Sequence, residues 1–179
     1  MDIDMLVKLA SRAWSLDILA HLSTGMPARQ AQLLAATGAT RTAFKASLEH
    51  LIRLGLLERN PGHGHPLRPE YRLTVKGRDI ARVAGQLIDT VREKPAAALL
   101  RRAWTLPILA VTGAPRRFKE IKADLVPITD RALSTSLQQL EDHACVRRHV
   151  DVSRRPLRPT YQAVELGAQI NRAISSIVS

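Results

Sequence analysis

Arg131, Ser134, Thr135 and Gln138 are short or fork-shaped hydrogen-bonding side chains whose spacing places them on one face of a helix. Such groups suit the edges of base pairs in a DNA major groove, where a guanidinium matches guanine and a carboxamide matches adenine. Leu133, Leu137 and Leu140 occupy the opposite face at spacings of four and three, and Thr129 stands where its hydroxyl can cap the first turn. Arg147 and Arg148 follow where this helix should end and a strand begin. Residues 128–148 therefore read as a recognition helix leading into a basic hairpin. An amphipathic helix with a merely solvated outer face would carry the same pattern.

Other kinds of chemistry find little support. The six histidines are scattered, and only His63 and His65 stand close together, in a Gly- and Pro-rich turn without cysteines or clustered carboxylates. No metal site is expected there. There is no Gly-rich phosphate-binding loop, nucleophile elbow or framed pair of carboxylates, so neither an enzymatic activity nor a cofactor is expected. The single cysteine, Cys145, excludes an internal disulfide and a Cys-cluster zinc site.

The elements that must position these residues are aliphatic. Of 179 residues, 45% are hydrophobic but only 3% aromatic, so cores must be built from Leu, Ile, Val and Ala. No apolar run reaches the roughly 18 residues of a spanning helix, and the acidic start does not resemble a signal peptide. The expectation is a cytoplasmic protein without a membrane partner. A net charge of +11 asks for an anionic partner, most simply nucleic acid, although acidic membranes or proteins would also satisfy it.

The chain also repeats itself. Residues 12–20, RAWSLDILA, recur as RAWTLPILA at 102–110, and 66–71, PLRPEY, as PLRPTY at 156–161, both 90 residues later. Phe44, Leu48 and Leu51 match Leu133, Leu137 and Leu140 at an offset of 89. Two modules are predicted, 1–94 and 95–179, with Pro95 at the boundary. In the first, residues 5–13 predict a helix with Leu6, Leu9 and Ala13 on one side. Ser15 and its counterpart Thr105 read as capping residues, with Asp17 and Pro107 fixing a first helical turn. Residues 28–36 read as a short helix with Ala31 and Leu34 inward. The turn 37–40 and a second helix, 41–54, capped by Thr40, complete a helix-turn-helix pattern. Gly55 is the stop, and strands near 56–59 and 71–73 form a hairpin wing. Wide apolar stripes follow, from Ile80 to Val91 and again from Ile170 to Val178. Trp14 and Trp104 are expected in the two cores. The fold class is thus mainly α with small β-hairpin wings (α+β), as tandem winged helix-turn-helix domains.

In the second copy Arg116, Arg117, Phe118, Lys119, Glu120 and Ile121 are read as opening the first helix of the pair. Together with Trp104, Ile108 and Leu109, with Ile128, Thr129, Leu133, Leu137, Leu140 and Glu141, and with the first copy's 55–59 and 71–77, this arrangement resembles the HxlR family of bacterial winged-helix transcription regulators. The resemblance covers nearly the whole chain. It implies double-stranded DNA as partner and regulation of transcription as function. The family usually carries one module per chain and pairs as homodimers, so two joined modules imply a pseudo-dimer within one chain. A small-molecule effector is not legible. Where some members sense oxidants through an N-terminal cysteine, this chain has none, and Cys145 in the place of Leu56 reads as a packed thiol. The second copy has Ala163 and Val164 where Leu73 and Thr74 stand, which suggests a degraded wing exit.

The resemblance and the charges together nominate the DNA-binding residues. The first copy offers Arg41, Thr42 and Lys45 on its recognition helix and Arg68 and Arg72 on its wing. The second offers Arg117 and Lys119, then Arg131, Ser134, Thr135 and Gln138, then wing residues Arg147, Arg148, Arg154, Arg155 and Arg158. Five arginines within residues 147–158 repel one another and call for a counter-charge such as phosphate or a minor groove. Residues 1–90 hold 12 Lys and Arg against 8 acids (+4), and 91–179 hold 15 against 8 (+7), so the second copy is the more basic. A tandem winged-helix adaptor for another protein, or a non-specific nucleoid-type DNA binder, stands as the alternative.

Overall fold

The computed structural model describes residues 1–23, 28–60, 70–150 and 158–178. The order of elements is nearly the same in both halves. In the first run helices α1 (Ile3–Ala10) and α2 (Ser15–Leu22), strand β1 (Ala28–Arg29), helices α3 (Gln30–Thr37) and α4 (Arg41–Arg53), strands β2 (Leu57–Asn60) and β3 (Glu70–Leu73), and helix α5 (Val75–Val91). The second half runs through a 3-10 helix (Pro95–Arg101), helix α6 (Thr105–Val111), strand β4 (Arg116–Arg117), helices α7 (Phe118–Asp124) and α8 (Asp130–Asp142), strands β5 (Val146–Val150) and β6 (Pro159–Ala163), and helix α9 (Glu165–Ser175). Each half is a helix-turn-helix followed by an antiparallel hairpin and a closing helix, so the α+β tandem winged helix-turn-helix expectation holds.

By contacts the chain forms two compact units. One is residues 12–89; the other joins residues 1–11 to residues 90–179. Helix α1 thus lies by sequence in the first repeat but folds with the second, where it packs against α6. Its buried face is Leu6, Leu9 and Ala10, Asp2 caps it by accepting from the Met5 N–H at 2.7 Å, and the Met1 amino group donates to the Ile177 carbonyl at 2.6 Å. The helix ends at Ala10, so Ala13, which is exposed, adds nothing to this face.

In the unit of residues 12–89 the core gathers Ile18, Leu19, Leu22, Leu33, Phe44, Leu48, Leu51, Leu56 and Leu57, all buried. Gly38 ends α3 in the left-handed conformation, and Thr40 caps α4 by accepting from the Ala43 N–H at 3.3 Å. Strand β3 lies between β2 and β1, with Leu57 opposite Leu73 and Tyr71 opposite both Arg59 and Ala28. The second unit repeats that order, β6 between β5 and β4, with Val146 opposite Ala163 and Tyr161 opposite Arg148 and Arg116.

Several local expectations need correction. Ala28–Arg29 and Arg116–Arg117 are short strands rather than the first turns of α3 and α7. Their pairing to the hairpin satisfies backbone groups that a helix start leaves open. With the start of α3 moved to Gln30, Leu33 is the buried apolar residue, Leu34 is half-buried and Ala31 is exposed. Ser15 and Thr105 are not caps: they are the first residues of α2 and α6, both buried, while Trp14 and Trp104 stand at the cap positions, half-buried. The wing exit of the second copy keeps its backbone path. The Val164 N–H donates to the Cys145 carbonyl at 3.0 Å, as the Thr74 N–H donates to Leu56 at 3.1 Å. What Val164 lacks is the Thr74 hydroxyl, which accepts from the Gly77 N–H at 3.0 Å and donates to the Gly55 carbonyl at 2.7 Å.

One close approach recurs in both units. A Cβ on Gly77 would lie 2.1 Å from the Leu56 carbonyl oxygen, and one on Gly167 would lie 1.8 Å from that of Cys145. Only glycine lets the closing helix rest directly on the backbone carbonyl that lies three residues past the end of α4 or α8. Just before that carbonyl the chain takes a left-handed residue, Gly55 with φ 69° in the first copy and Ala144 with φ 52° in the second. The alanine bears the steric penalty that the glycine avoids.

Candidate nucleic-acid interface

Burial of one face leaves the other face of each second helix in solvent. On α8, Leu133, Leu137 and Leu140 are no more than 2% exposed. Each such burial contributes about 1.5–3 kcal/mol, enough to fix the rotation of the helix about its axis. That rotation turns Arg131, Ser134, Thr135 and Gln138 outward, and all four are exposed. The expected cap is present: the Thr129 hydroxyl accepts from the Ala132 N–H at 3.2 Å. On α4, Phe44, Leu48 and Leu51 are buried, and Arg41, Thr42 and Lys45 are exposed.

An ion pair ties helix α7 to the start of α8. The Lys122 ammonium lies 2.6 Å from the Asp130 carboxylate at the first position of α8. The Glu120 carboxylate accepts from the Arg117 N–H at 2.7 Å, and in the first copy Gln32 does the same for the Arg29 N–H at 2.9 Å. These are two chemical versions of the same half of a capping box, since arginine at the cap position has no acceptor to return the bond. Arg117 and Lys119 are exposed in the same unit as the α8 face. Arg116 is held internally by Asp124 and lies 3.8 Å from Glu120.

The hairpins differ in how their cations are used. Arg72 donates to Glu58 across the first hairpin at 2.6 Å, and Arg29 lies 3.8 Å from Glu70 on the neighbouring strand. In the second hairpin Arg147 and Arg148 are exposed on β5, and Arg158 is exposed just before β6. Arg148 bears on the end of α8: burial raises the pKa of the Glu141 carboxyl, the Arg148 charge lowers it, and Asp142 raises it again. Arg68, Arg154, Arg155, His63 and His65 lie outside the described residues. Arg41, Thr42, Lys45 and Arg72 thus belong to one unit, and Arg117, Lys119, Arg131, Ser134, Thr135, Gln138, Arg147, Arg148 and Arg158 to the other.

Two features escaped the reading by residue type. The second helices of the two pairs carry opposite charge: Arg41, Lys45 and Arg53 against Glu49 give α4 +2, whereas Arg131 against Asp130, Glu141 and Asp142 gives α8 −2. The basic excess of the second copy lies around α8 rather than on it. Each outward face also holds an internal pair one turn apart, Lys45 with Glu49 at 3.8 Å, and Gln138, whose amide nitrogen donates to the Asp142 carboxylate at 2.8 Å. Both spacings of four were legible in the sequence. Cys145 is buried, and its thiol pKa is raised first by burial and then by the Glu165 charge, which disfavours the thiolate and fits the packed role.

The model of a family described as HxlR-like helix-turn-helix matches residues 9–96 and again residues 99–179. The chain is 38% identical over 74 residues to an uncharacterized HTH-type transcriptional regulator of Mycobacterium tuberculosis, covering 41% of this chain and 46% of that one. A protein of the same description from Mycobacterium bovis is 36% identical over the same length, with the same coverage. The chain therefore spans about half the length of the curated relatives it matches. No solved structure matches it.

Proposed function

The chain belongs to the HxlR-like helix-turn-helix family, twice over, and from that premise we propose that it is a DNA-binding transcription regulator that reads one site with two unlike helices. The observation that carries this reading is the pair of helix-turn-helix units whose second helices bury their leucines and leave polar faces in solvent. In this reading the recognition helices, about 41–54 and 130–143, enter the major groove. Arg41, Thr42 and Lys45 act in the first module, 1–94, and Arg131, Ser134, Thr135 and Gln138 in the second, 95–179. The wing cations, Arg68 and Arg72 in one module and Arg147, Arg148, Arg154, Arg155 and Arg158 in the other, hold the backbone or minor groove, with Arg117 and Lys119 on phosphates. The names of the relatives, HTH-type transcriptional regulators, support the same class.

Charge divides the labour. An α4 of net +2 gains directly from phosphates, whereas an α8 of net −2 must be held in the groove by the cations of α7 and β5 around it. Because the two reading faces differ, the bound site is an imperfect palindrome or none. One chain supplies the two helices that pairing of subunits supplies elsewhere in the family, so a monomer suffices. Selection from random duplex DNA, followed by footprinting and light scattering, tests this. A monomer protecting about two helical turns is expected, with log K falling against log salt at a slope of roughly −5 or steeper for about six phosphates. A salt-independent interaction, or no enrichment of any sequence, would transfer the chain to the adaptor or non-specific class.

A further inference from the structure

The structure assigns to Asp142 the role of a positioning residue that fixes which base Gln138 can read; this rests on α8 being a base-reading helix. A carboxamide presents a donor at one end and an acceptor at the other, and by turning over it can serve either kind of base edge. An ionised carboxylate accepts and cannot donate, so it can hold only the nitrogen end. Gln138 Nε2 donates to Asp142 Oδ1 at 2.8 Å. The flip is thereby settled: Oε1 is the end left for a partner, with the second amide hydrogen beside it.

That arrangement has one best match in the major groove. Adenine offers an N6 donor for Oε1 and an N7 acceptor for the remaining amide hydrogen, so it satisfies both ends. Cytosine offers only the N4 donor. Guanine and thymine offer only acceptors, so the one remaining amide hydrogen can meet them singly while Oε1 is left without a donor, and guanine's pair of acceptors cannot take both amide hydrogens because Asp142 holds one. Adenine is therefore the base expected at the position read by Gln138, since cytosine, guanine and thymine each meet only one end of the amide. The aligned residue of α4 is Glu49, engaged with Lys45 at 3.8 Å, so the device belongs to the second copy alone. Asp142 also brings a negative charge to the DNA-facing helix, a cost in affinity accepted for discrimination.

The test is selection of binding sequences from a random duplex DNA pool with the full-length chain and its Asp142→Asn, Asp142→Glu and Gln138→Ala variants. Asparagine can present either a donor or an acceptor to Gln138, whereas glutamate still only accepts. The wild-type chain should favour adenine at one position by about five-fold or more, the lower end expected of a bidentate contact. Asp142→Asn should bring that preference to within about two-fold while tightening binding to unrelated DNA, because a charge that repels phosphate is gone. Asp142→Glu should keep the preference. A pair that only stabilises the helix would shift melting of the variants without moving the base preference. If Gln138→Ala changes the preference at one position and Asp142→Asn leaves it intact, the role of Asp142 is refuted while base reading by α8 stands. If Gln138→Ala changes nothing, or the wild type selects no sequence, base reading by α8 fails and the assignment falls with it.

Discussion

Replacing Gly167 by Ala should unseat α9 from the hairpin it closes. The new Cβ would lie 1.8 Å from the Cys145 carbonyl oxygen and 2.7 Å from its carbon, both backbone atoms with nowhere to turn. Ordinary contact begins at 3.4 Å, so the helix must withdraw by about 1.6 Å. That movement also strips the Val164 N–H from the same carbonyl, a hydrogen bond of 3.0 Å. Overpacking of this kind costs about 1–3 kcal/mol and the lost hydrogen bond about 0.5–1.5 kcal/mol, so a loss of about 2–4 kcal/mol is expected. Trp104 lies in the same unit as Gly167, and Trp14 in the other. Urea denaturation followed by Trp104 fluorescence in a Trp14→Phe background therefore reports this unit, and the midpoint should fall by about 1–2 M. Gly113→Ala is the control, since the atoms nearest its Cβ belong to a side chain, the Asn171 amide at 2.8 Å, which can yield at the cost of its bonds to the Leu109 and Ala110 carbonyls. A Gly167→Ala midpoint equal to that of the control would show that the close approach does not hold the helix.

Thr129→Ala should cost about 1 kcal/mol through the lost cap of α8, measured in the same denaturation experiment. Ala144→Gly should stabilise by about 0.5–1 kcal/mol, because relief at φ 52° exceeds the added entropy of glycine; a loss of stability would contradict that balance. Changing Arg147 and Arg148 together to Ala should weaken binding to every duplex alike and flatten the salt slope by about two, whereas a change confined to particular sequences would count against phosphate contacts. The raised thiol pKa of Cys145 means that the unfolded chain gives up its proton first. Its contribution to stability is full below the ordinary thiol pKa and is lost as pH climbs through that value towards the raised one. Native alkylation should accordingly be slow and should become fast on unfolding.

The parts legible in the sequence are those whose physics is local. The period of Leu133, Leu137 and Leu140, the capping hydroxyls of Thr40 and Thr129, and the stop at Gly55 delimit α4 and α8 to within a residue. The outward residues follow from the same period, and all those described are exposed. What was not legible depends on partners distant in sequence. Two-residue strands such as Arg116–Arg117 have no period to show and exist because β6 offers them hydrogen bonds. Ser15 and Thr105 have the residue types of caps, yet their burial places them inside the helices. The need for glycine at 77 and 167 arises from a carbonyl 21 or 22 residues earlier, Leu56 or Cys145. Charge counted by copy hides its placement: the second copy is the more basic, yet Asp130, Glu141 and Asp142 all lie on α8.

The place of α1 bears on how the chain comes off the ribosome. Helix α1, whose Leu6 and Leu9 are buried, is made about 100 residues before α6, against which it packs, is complete. At about 5–20 residues per second that is a wait of roughly 5–20 s with an apolar face uncovered. Residues 12–89 need no such delay, since their unit is complete once α5 has emerged. Helix α1 is therefore expected to find its fold after residues 12–89, although it precedes them in the chain.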